Sequence, residues 1–277
     1  MTYGHYTTAT SLIGILENEV LWATNIKFLN DEHEFQHALD LARKVIIRSK
    51  EKFDRSSKFA NVYDLYITEI KKTFTNLELY SSESIFTCSF SEQTDLLSQW
   101  RGYCPGNQGY CVHFNIEKIL EFALITYPTC KIFKCVYDNS EKETTIAKIL
   151  KEHWHRYYAT NDVKSRETVI NNLAEEMIIL ASHFKHPSFA EEKEHRLVIQ
   201  LNFDASEHTK FRAGPLSIIP YIEIPAPRNF IEEICVGPTR VQQLAKRGLF
   251  ALIEAKYEIP IVLTSVTVSE SSIPYRA

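Results

Sequence analysis

The sequence predicts an α+β protein with a largely antiparallel sheet and helical insertions. Apolar residues switch between a period of two and a period of 3.6 along the chain, without the regular βαβ alternation that a parallel sheet requires. Two long stretches, 31–78 and 140–185, hold the helical period almost throughout, while the short strand-like runs cluster outside them. No internal repeat, low-complexity tract or Pro/Ser linker divides the 277 residues, so one domain over 1–277 is expected, with 31–78 and 140–185 as its insertions.

Residues 3–8 (YGHYTT) read as a first strand, and 11–17 (SLIGILE) as a short amphipathic helix. An extended piece, VLWATNIKF, precedes Asn30-Asp31, which supplies a helix N-cap. The following helix carries Phe35, Leu39, Ala42, Val45 and Ile46 on one face. The period continues over 58–76 through Phe59, Val62, Leu65, Tyr66, Ile70 and Phe74. SIFTCSF alternates between Ser boundaries and reads as a strand, followed by a short helix, TDLLSQW. The bend GYCPGNQG leads into the strand YCVHF, Asn115 caps a helix, and KIFKCVY is a strand. After the helical pair of 140–185 come the strands HRLVIQL, YIEI, EEICVG and IVLTSV. A helix spans 238–257, with Pro238 at its start.

Composition excludes several function classes. Hydrophobic residues are 44% and charged residues 24%, enough to bury a core. The net charge of −4 supplies no global positive field for nucleic acid. Gly is scarce (8 of 277), and neither GxGxxG nor GxxxxGK[ST] occurs. The six cysteines form no CxxC pair, against zinc ribbons and thioredoxin-like sites. With no signal-peptide pattern and no apolar run near 18 residues, a cytoplasmic protein with reduced thiols and no membrane contact is expected.

One local motif could hold metal. His33-Glu34-Phe35-Gln36-His37 is an HExxH, which on a helix presents two imidazoles to zinc and a Glu as general base. It lies in the first turns after Asn30-Asp31, and no obvious third ligand follows it, so a solvated helix start with Glu favouring the helix dipole competes with a metallohydrolase site. A second feature is basic. Arg43, Lys44, Arg48, Lys50, Lys52, Arg55 and Lys58 face only Glu51 and Asp54, a local balance of +5 over 43–58. Such a stretch either contacts phosphates or forms a solvated face.

The remaining candidates are dispersed. His5 and Thr7 lie on the first strand, and Ser89 and Ser91 in CSFS. Trp100-Arg101 pairs an aromatic face with a guanidinium fork beside the bend, and Tyr110 opens the next strand. In FAEEKEHRLVI, strand alternation would set Glu192, Glu194 and Arg196 on one face at the start of an apolar strand. Two carboxylates and a guanidinium there suit a cleft.

The order HYT, FLND-x-x-E, FS-x-x-x-D-x-LS-x-WR-x-Y, E-x-E-x-R and a closing PYR resembles the bacterial domain-of-unknown-function family 2971 over nearly the whole chain. A more distant likeness, His-x-Thr on a strand, an "IL" helix and a Glu on a later strand, is similar to the ADP-ribosyltransferase superfamily. That likeness implies a split, mostly antiparallel sheet around a cleft for NAD, which is the substrate. It implies Glu194 as the catalytic carboxylate with Glu192 its partner, and His5 as the ribose-binding histidine with Thr7 beside it. Arg101 or Arg196 would meet the pyrophosphate, and either Tyr110 or the Ser89/Ser91 strand would supply the middle motif. The chain departs from the superfamily after the "IL" helix, where ILENEVL stands in place of an early Gly. The likeness further implies a toxin or phage-defence effector, modifying a nucleic acid or protein acceptor and kept with an antitoxin or defence partner. A zinc hydrolase built on His33, Glu34 and His37, and a non-catalytic phage or nucleotide sensor, are the competing classes. The transferase reading alone requires His5 and Glu194 to share a cleft within about 10 Å, with Arg101, Tyr110 and Arg196 lining it.

Overall fold

The computed structural model describes residues 1–29, 32–80, 85–104, 109–201, 205–214 and 217–274. It is α+β, with ten strands in a mixed, mostly antiparallel sheet. The chain divides into two compact units, and the polypeptide passes between them at 23/24, 86/87, 134/135 and 190/191.

The first unit holds most of the sheet. Strand β1 (Thr2–Thr8) runs into helix α1 (Ala9–Asn18), capped by the Thr8 hydroxyl, which accepts from the Ser11 amide at 3.2 Å. Strands β2 (Val20–Asn25) and β3 (Ile85–Ser91) follow, then helix α4 (Leu97–Tyr103), β4 (Gly109–Asn115), α5 (Ile116–Thr126) and β5 (Lys131–Lys134). After the second excursion come β6 (Glu194–Gln200), β7 (Lys210–Ala213), β8 (Ile218–Pro225), β9 (Ile231–Val236), α8 (Gln242–Tyr257) and β10 (Thr267–Glu270). The strand order is β10-β9-β4-β1-β3-β2-β8-β7, with β6 pairing β3 and β5. β1 and β4 are antiparallel over their full lengths, whereas β1 meets β3 at the register pair Gly4–Ser91. Tyr6, Trp100, Cys104, Cys111 and Cys235 form one buried cluster of this unit. All six cysteines are free and buried, and burial pushes the Cys88, Cys104 and Cys130 thiols up to about 12, so they stay protonated at neutral pH.

The second unit spans Thr24–Phe86 and Cys135–Ala190 and takes in both expected insertions. Its helices are α2 (Glu32–Lys52), α3 (Ala60–Tyr80), α6 (Asn139–Ala159) and α7 (Val163–Ala181). Tyr63, Tyr66, Trp154 and Tyr157 pack among one another, and the Tyr66 hydroxyl donates to the Leu150 carbonyl at 2.8 Å. Asp138 and Asp162 cap α6 and α7. The expected cap Asn30-Asp31 lies outside the described residues.

Three element readings need correction. TDLLSQW begins its helix only at Leu97, because the Leu96 amide is drawn off to the Tyr6 hydroxyl at 2.9 Å and Leu96 is extended. The C-terminal helix starts at Gln242 rather than at Pro238, since the Gly237 amide prolongs the sheet by donating to the Gly109 carbonyl at 2.9 Å. IVLTSV, residues 261–266, is not a strand. Pro260 opens a 3-10 turn over Ile261–Leu263, and strand pairing begins at Thr267. β7 is a strand that the sequence pattern did not reveal. No described helix is long and apolar enough to cross a membrane.

Candidate active site

In the first unit, β1 and β3 border a cleft of about 340 Å³, mouth included, closed by α4 and by the turn into β6. Its lining includes His5 from β1, Ser89 and Ser91 from β3, Gln99 from α4, and the carboxylates Glu192 and Glu194.

Gly4 sits where β1 touches β3. A Cβ there would lie 2.5 Å from Cys111 Sγ and 3.1 Å from Thr94 Cγ2, so the close approach depends on its missing side chain. His5 Nδ1 is 2.9 Å from the Ser89 carbonyl oxygen. A carbonyl only accepts, so Nδ1 carries the proton and Nε2 of the neutral ring keeps a lone pair. Burial lowers the His5 pKa, and the Ser89 bond offsets only part of this, so the ring is neutral at pH 7.

The carboxylates come from a bent segment rather than a continuous strand. Residues Pro187–Glu192 form a 3-10 helix, Lys193 adopts a left-handed φ of 42°, and β6 starts at Glu194. Alternation from Glu192 to Arg196 therefore does not hold at Glu192, although both carboxylates reach the cleft. The bend is tied down on both sides. The Ser91 hydroxyl donates to the Glu192 carbonyl at 2.6 Å, and the Glu92 amide to the Lys193 carbonyl at 3.2 Å. Glu194 and Arg196 are both buried, with Arg196 Nε 2.7 Å from Glu194 Oε1 and Nη2 3.4 Å from Oε2. The guanidinium gives the buried carboxylate a charge partner on its own strand face.

Helix α4 is held by a separate set of bonds. The Tyr6 hydroxyl donates to the Gln93 carbonyl at 2.7 Å and accepts from the Leu96 amide, and Trp100 packs edge-on against the Tyr6 ring at 4.7 Å. Trp100 Nε1 donates to Asp95 at 2.8 Å. This fixes Gln99 and Tyr103, four residues apart on one helix face, along the cleft. Neither stands out in the sequence as a site residue, although Tyr103 closes the WR-x-Y motif and lies four positions after Gln99.

Of the residues singled out in the sequence, His5, Ser89, Ser91, Glu192 and Glu194 come together in the cleft. Thr7 is buried two residues further along β1, in register with half-buried Tyr110 on β4, and neither lines the cleft. Arg101 is exposed on α4 outside the lining, and Arg196 stands behind Glu194 as its ion-pair partner. Neither arginine is therefore among the groups lining the cleft that could meet a pyrophosphate. His37 lies on α2 in the second unit, and the side chains of His33 and Glu34 lie outside the described residues. Among the described residues no three His, Cys, Asp or Glu side chains gather to hold a metal ion. Within 43–58, Arg43 pairs with Asp40, Arg48 with Glu143, and Lys50 and Arg55 with Asp64, which leaves much less of the +5 balance for phosphates.

No curated protein and no solved structure matches the chain. The family model described as "Protein of unknown function (DUF2971)" matches residues 99–197, from Gln99 on the cleft wall to the strand that carries Glu194, and over that stretch the chain is similar to this family.

Proposed function

We propose that the chain is an NAD-consuming enzyme of the ADP-ribosyltransferase type, with Glu194 and His5 as its working pair. The observation that supports this reading is that His5 from the first strand and Glu194 from the sixth line one cleft. The meeting of β1 and β3 at Gly4 and Ser91, with the cleft beside it, is also in keeping with a split sheet. In the proposed reaction the bond from C1′ of the ribose to the nicotinamide nitrogen breaks. Its electron pair leaves with the ring and neutralises the pyridinium. The Glu194 carboxylate stabilises the oxocarbenium-like C1′, and the unprotonated Nε2 of His5 accepts a hydrogen bond from a ribose hydroxyl. Water or an acceptor group then bonds to C1′ and gives up its proton. The acceptor is a nucleic acid or a protein. The ion pairing within 43–58 weakens the case for a phosphate-binding surface there.

The test is release of nicotinamide from NAD by the purified protein, followed by chromatography. Wild type is expected to release it, and Glu194→Gln to lose release while keeping the wild-type circular dichroism spectrum. A wild type that neither binds nor cleaves NAD at millimolar concentration overturns the reading. Full activity in Glu194→Gln would move the catalytic role to Glu192.

A further inference from the structure

We propose that Gln99 is a specificity-determining residue of this cleft: its carboxamide pairs with the carboxamide of the leaving pyridine ring and selects the amide form of the dinucleotide over the acid form. The inference rests on the NAD reading above.

Gln99 is only 6% exposed, lines the cleft with His5 and Glu194, and its carboxamide has no hydrogen-bond partner among the described residues. Its amide atoms are not among the fully enclosed polar atoms that lack a partner, so they open onto the cleft, where an entering group can reach them. Its helix is fixed through Trp100 to Asp95 and through Trp100 to Tyr6, which holds the Gln99 backbone at the cleft. It is therefore preorganised for a group that enters the cleft.

A primary carboxamide presents one acceptor and one donor side by side, and its natural complement is a second carboxamide, joined by two hydrogen bonds. A carboxylate in that place offers no donor to the Gln99 oxygen, so one bond is lost and two acceptor oxygens are set against each other. The Glu192 and Glu194 carboxylates in the same lining further disfavour an anionic ring substituent. The place of the reacting ribose decides which end of the dinucleotide is involved. The reacting ribose must lie between His5 and Glu194, so the ring beside Gln99 is the one attached to that ribose, not the distant adenine.

The experiment measures binding of NAD, nicotinic acid adenine dinucleotide and ADP-ribose to wild type and Gln99→Leu by calorimetry, under conditions too brief for turnover. Wild type is expected to favour NAD over the acid form by about tenfold or more. Gln99→Leu is expected to lose about tenfold in NAD affinity, to lose the amide preference, and to bind ADP-ribose, which lacks the ring, as wild type does. A wild type that binds both dinucleotides equally overturns the proposal without recourse to a variant. So does a Gln99→Leu protein that keeps the amide preference, or one that loses ADP-ribose affinity as much as NAD affinity. If wild type binds none of the three, the NAD reading itself fails and this inference with it.

Discussion

Replacing Asp95 with alanine should loosen the C-terminal strand and α4 together, although the two are far apart in sequence. The Asp95 carboxylate accepts four hydrogen bonds. Oδ1 receives Trp100 Nε1 at 2.8 Å and Ser271 Oγ at 2.5 Å, and Oδ2 receives the Ser272 amide and hydroxyl, both at 2.9 Å. Burial of this carboxyl raises its pKa, but the bonds from Ser271, Trp100 and Ser272 outweigh that and hold it below the usual carboxylate value. In the alanine variant the exposed Ser272 groups can turn to water, whereas the hydroxyl of buried Ser271 and the indole N–H of buried Trp100 are left without their acceptor. A bond to a charged acceptor is worth about 1.5–3 kcal/mol and a stranded buried donor costs about 1–3 kcal/mol. With the solvent-accessible bonds discounted, the net loss is about 2–4 kcal/mol. Because the clamp joins two short segments, local opening reports on it more directly than a global unfolding midpoint does. Hydrogen–deuterium exchange of peptides spanning 95–104 and 267–273 reads the local opening directly. At 1.4 kcal/mol per tenfold, protection in both peptides should fall roughly 30- to 700-fold, and Asp95→Asn, which keeps one acceptor oxygen, should lose less. The sign with pH is fixed. A carboxyl with a lowered folded pKa stabilises the protein fully above its unfolded value of about 3.9, and that stability is lost as pH falls through the folded value. Protection in Asp95→Ala within threefold of wild type at pH 7, or loosening of only one of the two peptides, would refute this account of the clamp.

Other expected outcomes follow from single contacts. Gly4→Ala places a Cβ 2.5 Å from Cys111 Sγ inside the sheet, and overpacking of about 1–3 kcal/mol should appear as a lowered melting temperature; an unchanged melting curve would show that β1 moves freely there. His5 is held neutral by burial, so the folded state takes up its proton at lower pH than the unfolded chain. Stability should be complete above about pH 6.5 and fall as pH drops below it, and the ring should titrate below 6.5 by NMR; a ring titrating above 6.5 contradicts the burial. Arg196→Met removes the charge partner of the buried Glu194 carboxylate, at a cost of about 3–5 kcal/mol, and the double variant Glu194→Gln/Arg196→Met should recover much of that loss in thermal or denaturant melts.

The sequence by itself determined the elements whose signal is local. Alternation in YGHYTT and SIFTCSF, the Asn115 cap and the long helical periods each depend on neighbours within a few residues, and β1, β3, α5, α6 and α7 stand close to where those patterns put them. Where a distant partner competes for a backbone group, local reading failed. The Tyr6 hydroxyl takes the Leu96 amide and delays α4, and the Gly109 carbonyl takes the Gly237 amide and delays α8. The likeness to the DUF2971 family could be read because ordered motifs survive in one dimension, and the family model matches residues 99–197. The cleft could not be read in that way. His5, Ser89, Glu192 and Glu194 are common residue types, and only strand pairing through β3 and the left-handed turn at Lys193 gather them. The same tertiary arrangement turned Arg196 from a free cation into the partner of Glu194, and gave Gln99, an ordinary polar residue in the sequence, a buried place facing open space. Burial and pairing depend on residues tens to hundreds of positions away, so one-dimensional patterns do not carry them.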